Sequence, residues 1–285
     1  MVIFMNALFL LIIIVTLTAQ NVFKKAYSSK KKDVFWYNGI VSFAAAAVFL
    51  IFSKGKLDFC KEIFPYIIGF SVCFMICMFS SLMSVKTGSL ALSSLIISYS
   101  LIIPTLHGII FLKNPTSLLF FIGISLLIVS IFLVNFEKGE KKITKKWLIF
   151  VTLAFICNGL CSTIQSTQQI KFNGAYKSEF MFTVYSLGTI IMCIVSLIFE
   201  KQKTAERFNK YNLFALCCGI ANGVTNLFVM VLSTRMPTSV MFPIISAGSI
   251  LATAAISFFV YKERFSKLQI LGILMGTASI VCLNI

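Results

Sequence analysis

The single histidine, His107, sits inside an apolar run three residues after Pro104. There it is either a titratable group on a pathway through a membrane or a neutral side chain bonded to a neighbouring helix. The nine acids (Asp33, Asp58, Glu62, Glu137, Glu140, Glu179, Glu200, Glu206 and Glu263) lie between apolar runs or at their edges. No carboxylate stands mid-run. This argues against proton exchange through a desolvated carboxyl and against a hard metal-cation site. The nine cysteines form no CxxC pair. Cys73 and Cys77 share a helix face, as do Cys157 and Cys161, for thiolate metal binding or for packing. His107 is in register with neither pair, and the packing reading is preferred. No Ser/His/acid or Cys/His arrangement is present, so no enzyme and no cofactor are expected.

The apolar runs carry many neutral polar side chains. Asn158 and Gln165 are seven apart on one face, with Gln168 and Gln169 beyond. Asn222 and Asn226 are four apart beside Gly219 and Gly223. Asn6, Gln20 and Asn21 fall in the first run, Ser94, Ser98 and Tyr99 in the fourth, and Ser246 and Ser249 in the ninth. Amides and hydroxyls bind a zwitterion or polyol without burying charge, or bond helix to helix. The candidate binding set is Gln20, Ser98, Tyr99, His107, Asn158, Gln165, Asn222, Asn226 and Ser246. Lys86 and Arg235 either draw an anionic substrate or reach to headgroups and fix helix depth; the latter is preferred.

The elements that carry these residues are membrane helices. Of 285 residues, 59% are hydrophobic and only 12% charged, too few to coat a soluble surface. Ten segments approach the roughly 20 apolar residues a spanning helix needs: about 2–20, 35–53, 63–84, 89–112, 117–136, 147–167, 179–199, 211–233, 238–260 and 268–285. A basic linker, 137–146, separates a first half, 1–136, from a second, 147–285.

A shift of 149 positions brings Lys113, Ser117, Leu119, Gly123, Ile124, Ser130, Ile131 and Asn135 onto Lys262, Ser266, Leu268, Gly272, Ile273, Ser279, Ile280 and Asn284. Five of these eight are polar or Gly, beyond what shared apolarity explains. Five crossings per half invert the second half. The expected fold is an all-α membrane protein of ten transmembrane helices in two inverted five-helix repeats, a plan common in secondary transporters.

The net charge of +16 would suggest nucleic acid in a soluble chain. Here the basic residues divide 18 to 7 between the two sides of the bilayer, which marks orientation. The split places the 137–146 linker in the cytoplasm of a multi-pass cell-membrane protein and both termini outside. Gly219-x-x-x-Gly223 and Gly272-x-x-x-Gly276 allow close helix approach, within the chain or, on the last helix, in a homodimer.

In this pattern the chain resembles the drug/metabolite transporter superfamily, in its ten-helix EamA-type branch. The second half carries the marks at its end: Pro243, then Glu263 in Val260–Phe265, then Leu271-Gly272. The first half has Pro104 and Gly123, with Asn114 where the Glu is usual. The resemblance implies a central cavity lined by helices 1, 3, 4, 6, 8 and 9. It also implies termini in the cytoplasm, opposite to the charge reading, and a small-molecule substrate such as an amino acid or related compound, moved outward. A translocator of lipid-linked or amphipathic molecules and a non-transporting scaffold are the alternatives.

Overall fold

A computed structural model describes residues 2–28, 33–87, 96–97, 99–114, 117–134, 144–200, 207–259 and 267–284. Among these residues there is no strand. The α-helices are α1 (Val2–Ser28), α2 (Val34–Phe52), α3 (Phe64–Thr87), α4 (Ile102–Ile110), α5 (Leu118–Val134), α6 (Lys145–Lys171), α7 (Lys177–Phe199), α8 (Asn212–Ser233), α9 (Thr238–Phe259) and α10 (Lys267–Asn284). Six stretches, in α1, α2, α3, α6, α7 and α8, are long and apolar enough to cross a membrane. Parts of α5 and α9 are shorter apolar helices. Ile51, Leu118 and Phe259 are each at least 75% exposed, an outward apolar surface suited to lipid. The expected linker lies outside the described residues up to position 143, as does the turn that carries Glu263.

Two compact units form, Met1–Val72 with Thr167–Thr234 and Cys73–Ser166 with Arg235–Ile285. Each therefore draws on both halves of the sequence.

In the first unit α1 packs on α8, and α2 packs on both α7 and α8. Glycines on α8 make the last contact close. A Cβ on Gly219 would sit 2.4 Å from the Val41 carbonyl oxygen, and one on Gly223 would sit 2.8 Å from Val48 Cβ. This Gly-x-x-x-Gly is thus a helix seat within the chain.

The same unit holds a polar clamp at one end. The Glu200 carboxylate accepts the backbone N–H groups of Phe35 (2.8 Å) and Trp36 (3.1 Å), while the α2 N-cap residue, Asp33, makes no side-chain cap bond. A carboxylate is favoured there because the first N–H groups of a helix lack partners and its dipole is positive. Arg207 does the converse for α7. Its guanidinium donates to the carbonyls of Ser196 (3.2 Å) and Glu200 (2.8 Å) and to Ser196 Oγ (2.8 Å). Trp36 Nε1 and Asn212 Nδ2 donate to the Arg207 carbonyl. Nearby, at the end of α1 and beyond its membrane-spanning stretch Phe4–Lys24, Tyr27 packs on Tyr37 with ring centroids 4.6 Å apart. Burial, then the Asp33 and Glu200 charges, raise the Tyr27 pKa and keep its phenol protonated.

In the second unit α5 packs along α10, and α9 touches α4, α5 and α10. Ser130 Oγ donates to the Gly272 carbonyl (2.6 Å), and Ser279 Oγ donates to the Gly123 carbonyl (2.8 Å). A Cβ on Gly276 would come within 2.6 Å of Ser130 Oγ, so this glycine also serves packing inside the chain. Asn114 Nδ2 donates to Thr238 Oγ1 at 3.3 Å and its N–H to the Gly108 carbonyl at 3.1 Å. It ties the end of α4 to the start of α9.

Candidate functional site

The first unit gathers a ladder of neutral polar groups between α1 and α8. The two helices run antiparallel: Phe9 meets Phe228 (ring centroids 4.9 Å apart), Thr16 meets Thr225, and Gln20 meets Asn222. Thr16 and Gln20 are four apart on α1. Asn222, Thr225 and Asn226 are three and four apart on α8, so each set shares a face.

Asn222 Nδ2 donates to Gln20 Oε1 at 2.9 Å, and Gln20 Nε2 donates to Thr225 Oγ1 at 2.9 Å. Thr16 Oγ1 lies 2.7 Å from the same Thr225 oxygen. The Tyr185 hydroxyl of α7 donates to Asn222 Oδ1 at 2.6 Å. Asn226 Nδ2 donates to the Asn222 carbonyl (3.0 Å) and to its Oδ1 (3.4 Å). An amide left without partners in an apolar setting costs about 1–3 kcal/mol, and this ladder satisfies most of that demand. Gln20, Asn222 and Asn226 remain half-buried, while Thr225 and Tyr185 are buried.

The second unit holds a smaller cluster. Asn158 Nδ2 donates to Ser100 Oγ at 2.6 Å. The Cys77 thiol reaches Asn158 Oδ1 and the Ala154 carbonyl, both at 3.8 Å. Gln165 and Ser246 are buried in this unit. His107 is half-buried on α4, its ring stacked on Phe111 with centroids 5.1 Å apart. Ser98 and the side chain of Tyr99 lie outside the described residues. Among the described residues, no group of three or more His, Cys, Asp or Glu side chains is placed to hold a metal ion.

Gln20, Asn222 and Asn226 are thus brought together. Tyr185, Thr16, Thr225 and Ser100 join the candidates only in the structure. A tyrosine in an apolar helix reads as bulk, and Thr16 and Thr225 read as small packing residues. The signal within reach was spacing, since Thr16 is one helical turn from Gln20 and Thr225 is three residues from Asn222.

Residues 145–285 match the model of the EamA-like transporter family, and membership of the drug/metabolite transporter superfamily follows. The chain is a multi-pass membrane protein of the transporter type. No curated protein matches it. A crystal structure of another protein superposes with a TM-score of 0.81, covering 97% of this chain and 95% of that one at 10% identity. At that identity the likeness bears on the fold alone.

Proposed function

We propose that the chain is a secondary transporter that carries a small organic metabolite, an amino acid or related compound, outward across the cell membrane. The two halves, 1–136 and 147–285, act as inverted five-helix repeats that expose the substrate alternately to each side. The 137–146 linker faces the cytoplasm, as its lysines favour.

The observation that carries the substrate class is the Gln20–Asn222 ladder, a set of neutral hydroxyls and half-buried amides on spanning helices. Such groups hold a polar solute without the cost of burying an unpaired charge. The inverted repeat draws support from two helix pairs. A 149-residue shift carries α5 onto α10, and these pack antiparallel through Ser130–Gly272 and Ser279–Gly123. The same shift carries α2 onto α7. These also pack antiparallel, Phe35 bonding Glu200 and Phe49 lying on Tyr185. A two-fold axis in the membrane plane requires this arrangement of symmetry-related helices.

The test is counterflow in proteoliposomes loaded with amino acids. Trans-stimulated exchange of a labelled amino acid by the intact protein, lost in Asn222→Ala, is expected. Absence of exchange for every amino acid and related solute would overturn the reading.

A further inference from the structure

One run of hydrogen bonds passes through Asn222 in a single direction. The Tyr185 hydroxyl donates to Asn222 Oδ1, Asn222 Nδ2 to Gln20 Oε1, Gln20 Nε2 to Thr225 Oγ1, and Thr225 Oγ1 to the Ala221 carbonyl (2.8 Å). Thr225 sets the sense of the rest. It has a single hydroxyl proton, and whether that goes to the Ala221 carbonyl or to Thr16 Oγ1, the Thr225 oxygen is left to accept from Gln20 nitrogen. Gln20 then turns its oxygen to Asn222, and Asn222 turns its oxygen to Tyr185.

Each amide oxygen is therefore engaged by the donor before it. Each amide nitrogen gives one N–H along the chain and keeps a second. Gln20 and Asn222 are half-buried, and each keeps an N–H to offer a ligand, while Asn222 Oδ1 already accepts from both Tyr185 and Asn226. Tyr185 is 3% exposed and stacked on Phe49 at 6.0 Å between centroids, which holds its hydroxyl in place.

We propose that the second N–H groups of Gln20 and Asn222 hold an acceptor oxygen of the solute, a carboxylate or an amide carbonyl. Tyr185 is the positioning residue that keeps the Asn222 amide turned for this. No charged side chain takes part in the ladder, so the site selects for the acceptor and not for net charge. This rests on the transport reading and names what its site recognises.

The test uses the full chain in lipid nanodiscs and thermal shifts with three matched probes. These are L-alanine, L-alaninamide and ethylamine, which is alanine without its carboxylate; leucine, its amide and isoamylamine repeat the series. A ligand of the folded state raises Tm by mass action. The first two probes of each series are expected to raise Tm and the amine to leave it unchanged. Tyr185→Phe keeps the ligand-free Tm within a few degrees and weakens both responses about tenfold, the upper range for one hydrogen bond. Gln20→Glu keeps the shape, removes a donor and abolishes both responses; it decides the matter if Tyr185→Phe does not fold.

Equal shifts with the amine, or unchanged affinities in both variants, overturn the inference and leave transport standing. No shift with any probe while proteoliposomes still exchange amino acids overturns it likewise. Absence of both binding and exchange overturns the transport reading and this inference together.

Discussion

Ser130 and Ser279 stand 149 positions apart, and each donates its hydroxyl hydrogen to the carbonyl of the glycine seven residues before the other. The bonds are near-equal in length and both serines are fully buried. Ser130→Ala and Ser279→Ala should each lower stability by about 0.6–1 kcal/mol, the usual range for a side-chain bond between membrane helices. Thermal unfolding in one detergent would check this. Unequal losses would mean that the two contacts are not equivalent.

Gly219 offers a sharper test of packing. A Cβ there meets the Val41 backbone at 2.4 Å and Ala44 Cβ at 2.6 Å, and a backbone carbonyl cannot yield as a flexible side chain can. Gly219→Ala should cost about 1–3 kcal/mol. Around Gly55 there is open space, and its positive φ of 74° makes Gly55→Asn a mild change of under about 1 kcal/mol. The ratio of the two effects in an unfolding assay is the measurement.

Arg207 is 4% exposed and holds two carbonyls at the end of α7. Arg207→Met keeps the apolar stem and removes the donors. The expected loss is about 3 kcal/mol, because hydrogen bonds to charged groups contribute about 1.5–3 kcal/mol each. Lys210→Met, at an exposed position, should change stability by under about 0.5 kcal/mol. Limited proteolysis near residue 207 would report the opening directly.

Asn158→Ala, Asn222→Ala and Asn226→Ala are expected to impair exchange more than folding. Asn222 links Gln20 and Tyr185, so its loss should reduce exchange at least about tenfold while Tm moves by a few degrees. Full exchange by all three variants would remove these amides from the proposed substrate contacts.

Six of the ten expected spans recur as helices long and apolar enough to cross a membrane, legible because a run of some twenty apolar residues has no other stable use in lipid. The 149-position correspondence was legible in Gly123, Ser130, Gly272 and Ser279, whose small and polar types stand out from an apolar background. That these four residues bond one another was not legible, since an offset gives equivalence and not contact. The acids misled in part. Asp33 and Glu200 lie at helix ends, where the sequence places them, yet Asp33 is 4% exposed and Glu200 caps a helix 164 positions away. Such a bond depends on where two distant helix ends meet, and no local spacing records that. Gln20 and Asn222 were legible as polar residues in apolar runs, but Tyr185 was not, because its ring matches the surroundings and its hydroxyl finds its partner 37 positions away.

The interleaving of the two compact units along the chain has a consequence for synthesis. Helices α1 and α2 leave the ribosome early, but their partners α7 and α8 end only at Ser233. Until then the amides at the start of α2 have no Glu200 and the face of α1 that bears Gln20 has no Asn222. The newborn chain must therefore wait in the bilayer as separate inserted helices, and association follows insertion. A chain truncated before α7 would present the polar stripe of α1 to lipid with no partner from α8.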